Sequence, residues 1–318
     1  MLAYELPKPR SAHLLLGLIA YPLTSLLPVA VTWGLLEAIN AYYRPIPVLW
    51  LLLVAFTVRH TAGFVVTTLF HRSMAHDAFR FHPVLEWLLR LWTWFFVGTG
   101  ARAFAIMHRA HHAYTDKEGD PHSPTKPGES LWTVARQTNR SYVDVLNRPE
   151  AYTRFAHGLP DDRLEALIEW DGKRNFGFRG VRVPLQILLW VGTLGWLFGP
   201  VAGVLVFLAL LPTTIGGVVA VSIFTVNGLC HLVGYRSYEV DLTASNLFPI
   251  DVLTWGEVLH QNHHVFPGSA NFAHKAWEWD PAYTVLWCMS KVGLVRDLKA
   301  PTPNLPPLPV SHSLSTSP

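Results

Sequence analysis

The chain has 318 residues, of which 50% are hydrophobic and only 15% charged, a balance typical of membrane proteins and unlike that of water-soluble enzymes. A net charge of +3, with no basic stripe interleaved with aromatics, argues against nucleic acid as a partner. The two cysteines, Cys230 and Cys288, give neither a C-x-x-C motif nor a disulfide framework, which fits a reducing cytosolic face.

The N-terminal MLAYELPKPR leads into an apolar run without an A-x-A site, which reads as a retained anchor rather than a cleaved signal peptide. That run, residues 11–39, contains Pro22 and Pro28 and is long enough to cross a bilayer with tilt. Residues 40–45, NAYYRP, form a turn whose tyrosines suit a membrane interface. A second span, 48–70, returns the chain and delivers His71 at its end; Arg59 and His60 inside it must face the protein interior. The stretch 84–97 has only fourteen residues, ~21 Å of helix against a ~30 Å hydrocarbon core, so it reads as an interfacial or re-entrant helix. Residues 113–182 are polar and charge-rich and form a cap. Two further apolar runs, 183–198 and 201–226, make a second hairpin around Gly199 and Pro200. Among the connections, only Arg44 lies on the far side, so the positive-inside rule makes the other side, with both termini, cytoplasmic. The tail 300–318 is rich in proline and serine and is expected to be disordered.

Four clusters of nitrogen donors punctuate these runs. His108, His111 and His112 read H-x-x-H-H, and so do His260, His263 and His264. Composition alone predicts about 0.04 such triplets per chain. The i, i+3, i+4 spacing puts each triplet on one helix face. His71 with His76, and Asn227 with His231, complete a set of nine imidazoles and one amide. That is more than one tetrahedral zinc can use, and imidazole suits a transition metal such as iron rather than magnesium or calcium. A dinuclear iron site follows. The i, i+5 spacing of His71 and His76 turns ~140° on an α-helix, which predicts that the helix ends between them.

With HRSMAH at 71–76, HRAHH at 108–112 and HQNHH at 260–264, the chain resembles the integral-membrane fatty acid desaturases of the acyl-CoA Δ9 (stearoyl-CoA desaturase-like) family. The flanking runs TDKEGDPHSP at 115–124, NGLCHLVGYR at 227–236 and GEVLHQNHHVFPGSA at 256–270 carry the resemblance further, and it extends over about 45–298. Together with the apolar runs it implies an all-α integral-membrane fold, with four transmembrane helices in two hairpins, interfacial helices and a cytosolic helical cap holding a dimetal site. It implies metal-ligand roles for His71, His76, His108, His111, His112, His231, His260, His263 and His264, and a metal-bound water held by Asn227. Asp116, Asp120, His122 and Glu257, the last lying three residues before His260 and expected to serve it, should support ligands by hydrogen bonds from behind, and Arg72 and Arg109 should pair with such carboxylates. Phe224 stands where relatives place a tryptophan near the kink of the acyl chain. Phe104, Ile106, Met107 and Leu259 also depart from common family residues, which puts coenzyme A as the carrier in question.

The expected reaction is removal of two hydrogens from adjacent unactivated methylenes, at the Δ9 position of an acyl thioester or lipid. No side-chain acid or base can do this, so two irons, dioxygen and two external electrons are required. The donor is a ferredoxin or a cytochrome b5-type protein with its reductase. A lipid or hydrocarbon hydroxylase of the same superfamily is the alternative enzyme. A metal transporter is the alternative of another class, but it predicts histidines distributed through the spans.

Overall fold

The computed structural model describes residues 11–123, 129–174 and 178–300; all of the proline- and serine-rich tail beyond residue 300 lies outside them. Helix α1 (Ser11–Tyr42) continues through Pro22 and Pro28. α2 (Val48–Val65) passes without a break into a π-helical stretch, Val66–Ala75. α3 (Pro83–Phe96) and α4 (Ala101–Tyr114) follow. The polar segment after α4 folds into α5 (Leu131–Asn147), a 3-10 turn over Pro149–Phe155, and α6 (Arg163–Gly172). α7 (Arg182–Phe198) and α8 (Pro200–Leu211) form a hairpin, and α8 continues through π-helical Pro212–Gly216, the short α9 (Gly217–Val219) and π-helical Ala220–Val226. α10 (His260–Val265) and α11 (Pro281–Lys291) complete the helices.

Among the described residues three helical rods are long and apolar enough to cross a membrane: Leu15–Tyr42, Val48–Ala75 and Pro200–His231. Their outward faces are bare hydrocarbon, with Leu15, Ile19, Trp33, Leu49, Trp50, Val201 and Leu208 exposed, as a surface solvated by lipid requires. Polar contacts join them where they touch: the Thr32 and Thr213 hydroxyls meet at 2.8 Å, and those of Thr24 and Thr225 at 2.9 Å. α7 is shorter, at 17 residues, and crosses α8 at contact distance, since a Cβ on Gly203 would stand 2.4 Å from the Gly195 nitrogen.

The helix ends between His71 and His76, as their spacing predicts, but not in α-helical winding: bonding from i to i+5 carries it to Ala75 and leaves His76 as its cap residue. Two expectations change. The fold is not wholly helical, because β1 (Arg80–Phe81) and β2 (Val295–Arg296) pair antiparallel. This ribbon ties the C-terminal segment behind the first histidine pair. Among the described residues Arg109 binds no carboxylate; its guanidinium donates to the backbone carbonyls of Met74, Ala75, Phe155 and His157, bolting α4 to the end of the α2 rod.

Candidate metal centre

Four segments deliver the histidines to one place. The π-helical end of the α2 rod supplies the first pair, because bonding from i to i+5 brings residues five apart nearly into one row. The His71 and His76 rings stand 5.2 Å apart. α4 presents the second triplet on one face, and α10 presents the third. α10 is only six residues long and would not hold a helix alone. Asn246 caps it: its Oδ1 accepts from the backbone N–H of Gln261 at 2.9 Å and of Asn262 at 3.3 Å. Asn262 in turn donates to Glu278 at 2.7 Å and to the Phe272 carbonyl at 2.8 Å. His231 follows from the end of the Pro200–His231 rod.

The nine imidazoles divide into two groups. One holds His71, His76, His108, His112 and His263; the other holds His111, His231, His260 and His264; in each, the nitrogens lie within 4.8 Å of one another. The Nε2 atoms point inward. His71 and His112 each place Nε2 2.9 Å from that of His263, and His76 and His108 stand 2.9 Å apart. In the second group the separations are 3.1 Å for His231–His260 and for His260–His264, and 3.2 Å for His111–His264.

Behind three of these rings stand oxygens that fix the tautomer. Glu257 lies 2.7 Å from His71 Nδ1, and Asp120 lies 2.8 Å from His111 Nδ1. His231 Nδ1 has Thr243 Oγ1 at 2.9 Å and Asp116 at 3.3 Å. With the proton on Nδ1, each Nε2 offers only a lone pair to the interior. Burial, reinforced by neighbouring imidazoles, holds His76, His108, His112, His260, His263 and His264 well below the usual histidine range. Burial pushes the Asp120 carboxyl up, yet the His111 ring outweighs it and holds that carboxyl below the usual carboxylate range.

Neutral rings that aim lone pairs at one another need a cation between them. Two nitrogens about 2.1 Å from a shared ion stand ~3.0 Å apart at a right angle and ~3.4 Å apart at the tetrahedral angle. The observed separations lie in this range, so each group, with five and four imidazole nitrogens, has the donors to hold a metal ion.

Other expected residues fall differently. Glu257 serves His71, not its helical neighbour His260, whose Nδ1 has no partner among the described residues. His122 is buried beside His111, with ring centroids 4.3 Å apart, and neither of its nitrogens finds a partner there. Arg72 pairs mainly with Asp280, at 2.5 Å, and lies 3.8 Å from Glu257. Asn227 lines a pocket together with His71, His108 and His260. Phe224 packs edge-on against Trp132 at 5.1 Å, while Val221, Ser222 and Val226 from the same rod line that pocket. Asn246, Thr243 and Asp280 carry no motif and went unrecognised in the sequence.

The pocket starts at the histidines and runs between two rods. Gly63, Val66 and Thr67 of the α2 rod line one side, and Gly217, Val218 and Val221 the other. A helical protein with membrane-spanning rods, an apolar channel and a paired polyhistidine centre is the class of structure at hand. Residues 45–279 match the model of the family described as "Fatty acid desaturase". The chain belongs to that family, and the Δ9-type relatives below make it a membrane fatty acid desaturase, an oxidoreductase. It is 27% identical to Delta-9 acyl-lipid desaturase 2 of Arabidopsis thaliana over 84% of this chain and 80% of the relative. It is 28% identical to Delta-9 acyl-lipid desaturase 1 of the same plant, over 80% and 76%. Hex-5-enoyl-[acyl-carrier protein] acetylenase of Moorena producens (strain JHB) is 26% identical over 73% and 71%.

Proposed function

We propose that this chain is a diiron, dioxygen-dependent desaturase that introduces a cis double bond, at the Δ9 position, into a saturated acyl thioester. The observation that carries the reading is the division of nine imidazoles into groups of five and four at the mouth of an apolar pocket. In this reading His71, His76, His108, His112 and His263 hold one iron. His111, His231, His260 and His264 hold the other, with Asn227 bonding a water there. The irons supply the oxidising power, with dioxygen and two electrons from a ferredoxin or cytochrome b5-type partner.

The protein's own part is positioning. Glu257 and Asp120 keep the Nδ1 protons in place, so that His71 and His111 present lone pairs and not N–H groups. The walls of Val66, Phe104, Val221 and Val226 exclude water and align one pair of adjacent methylenes beside the donors, an orientation effect. A chain lying in the pocket touches both groups, since His71 and His108 belong to one and His260 to the other. The walls come from the second rod and the Pro200–His231 rod.

We read α7 as the fourth span, paired with α8, because its outer face is as bare as theirs, with Leu188, Leu189 and Trp196 exposed. The histidines, the α5–α6 cap and both termini then lie on the cytoplasmic side. For the carrier, the names of the relatives point to acyl lipids in the plant proteins and to acyl carrier protein in the other. We favour a thioester, with coenzyme A ahead of intact phospholipid, because Arg136, Arg140, Lys173 and Arg174 lie on the cap.

Fatty-acid analysis of a host expressing the chain, with double-bond position mapped, tests the reading. New monounsaturated chains support it. Hydroxylated chains in their place would assign the alternative reaction, and unchanged lipids alongside retained metal would favour a binding protein.

A further inference from the structure

One end of the pocket carries a charge that no carboxylate among the described residues answers. Arg59 lies in the middle of the second rod and is 3% exposed, and its side chain lines the pocket opposite Gly217. Four arginines are buried among the described residues. Arg72 has Asp280 at 2.5 Å, Arg90 has Asp162 at 2.7 Å and Glu165 at 2.9 Å, and Arg182 has Asp171 at 3.6 Å. Arg59 has no hydrogen bond and no carboxylate within ion-pair distance among the described residues, and its Nη1 is buried without a partner. Among the described residues its guanidinium lies over the Phe56 ring at 5.9 Å to the centroid.

The nearby acids are committed elsewhere. Glu257, the one carboxylate lining the pocket, is held by His71 and by the Thr67 hydroxyl. Asp251 accepts from Tyr21 at 2.5 Å, from the Thr254 backbone at 2.9 Å and from the Val258 backbone at 3.1 Å. The fold also keeps room for the arginine. A Cβ on Gly217 would stand 2.8 Å from Arg59 Cδ and 2.9 Å from Nε. An unpaired guanidinium inside an apolar span is costly. It is tolerable where a ligand completes the pair.

We propose that Arg59, unpaired and facing the end of the pocket remote from the histidines, is a recognition site for a carboxylate carried on the hydrocarbon substrate. The proposal rests on the pocket holding an acyl chain and names the class of chain. Residues 59 and 71 are separated by ~18 Å of helix, so a stretch of methylenes spans the distance between the charge and the metal donors. A plain methyl end would leave the arginine unpaired; a carboxylate gives it a charge-assisted, two-point partner. The carboxylate can be the far end of a dicarboxylic chain whose other end is the thioester. It can also be the single carboxylate of a free fatty acid entering head-first.

The test uses purified, iron-loaded enzyme and displacement of a fluorescent acyl chain. The competing ligands are hexadecanoyl-CoA, the mono-CoA thioester of hexadecanedioic acid, and free hexadecanoic acid, each against wild type, Arg59→Leu and Arg59→Lys. Wild type should bind one of the two carboxylate-ended chains about tenfold or more tighter than hexadecanoyl-CoA, the gain of one charge-assisted hydrogen bond. Arg59→Leu should abolish or invert that preference, and Arg59→Lys should keep its direction. An Arg59-dependent advantage for the free acid alone would support the site and reverse the chain's direction. Equal binding of all three by wild type, or a preference unchanged in Arg59→Leu, overturns the proposal. Product analysis on the same preparations separates the two readings: Arg59-dependent binding without any unsaturated product overturns the desaturase reaction alone.

Discussion

Removing the Glu257 carboxylate should loosen one metal and spare the other. Glu257 Oε2 lies 2.7 Å from His71 Nδ1, and its other oxygen accepts from Thr67. In Glu257→Ala the Nδ1 proton of a buried ring faces nothing. An unpaired buried donor costs about 1–3 kcal/mol, equivalent to about 5- to 150-fold in affinity. That range contains the 10- to 100-fold typical of partners hydrogen-bonded behind a ligand, on the order of magnitude expected for metal sites. His71 sits in the five-imidazole group, whereas Asp120 supports His111 in the group of four. Asp120→Asn is the matching perturbation. Asparagine is preferred to alanine there because Asp120 also accepts from the backbone of Asp116 and His122, at 3.0 Å each. Purified protein is dialysed against graded chelator and its iron measured, with helicity followed by circular dichroism. Each variant should shift a single step of iron loss, Glu257→Ala one step and Asp120→Asn the other. Equal shifts of both steps in Glu257→Ala, or none, would refute the assignment of Glu257 to one group.

Alanine at any one of His108, His111, His260 or His264 should abolish desaturation while the protein stays membrane-inserted, because the apolar faces of the rods do not involve these side chains. Activity surviving in two of the four would sink the ligand assignment. In plain acyl thioesters, whose methyl end offers Arg59 no partner, the double bond should stay at a fixed distance from the carbonyl as chain length varies, since an apolar wall discriminates each methylene by only ~1–3 kcal/mol; a bond that tracks the methyl end instead would contradict this. The Arg90 hydrogen bond holds Asp162 down to about 2, against ~3.9 for a free aspartate. Its contribution to stability is therefore present above about pH 4 and lost as pH falls toward 2. Asp162→Asn should melt lower than wild type at pH 7, with the gap narrowing at pH 3; a constant gap would remove Asp162 from the account.

Much of the centre was legible because its chemistry is written in short repeats. The H-x-x-H-H triplets specify a helix face by spacing alone, and both sit on helices that present all three rings inward. Long-range partners have no such signature. Thr243 reaches His231 and Asp116, and Asp280 reaches Arg72, 208 residues away; nothing local marks either one. Glu257 was recognised as a support but expected beside His260, because helical spacing was the available guide. Tertiary packing gives it His71 instead. The helix does end between His71 and His76, at Ala75, but a 3.6-residue period misses the π winding that carries it there, which sequence periodicity over ten residues cannot distinguish.

The two triplets also explain how the groups keep their relation to each other. α4 sends His108 and His112 to the group of five and His111 to the group of four; α10 sends His263 to the first, and His260 and His264 to the second. Neither group belongs to one helix. A shift of α4 or α10 that relaxed one group would distort the other, and both helices are pinned from behind, α4 by Arg109 and α10 by Asn246. The spacing between the groups is therefore set by the rise and turn of two short helices. Loop conformation, which varies more readily, has little hold on it, as the proposed two-metal reaction at one substrate carbon pair would demand.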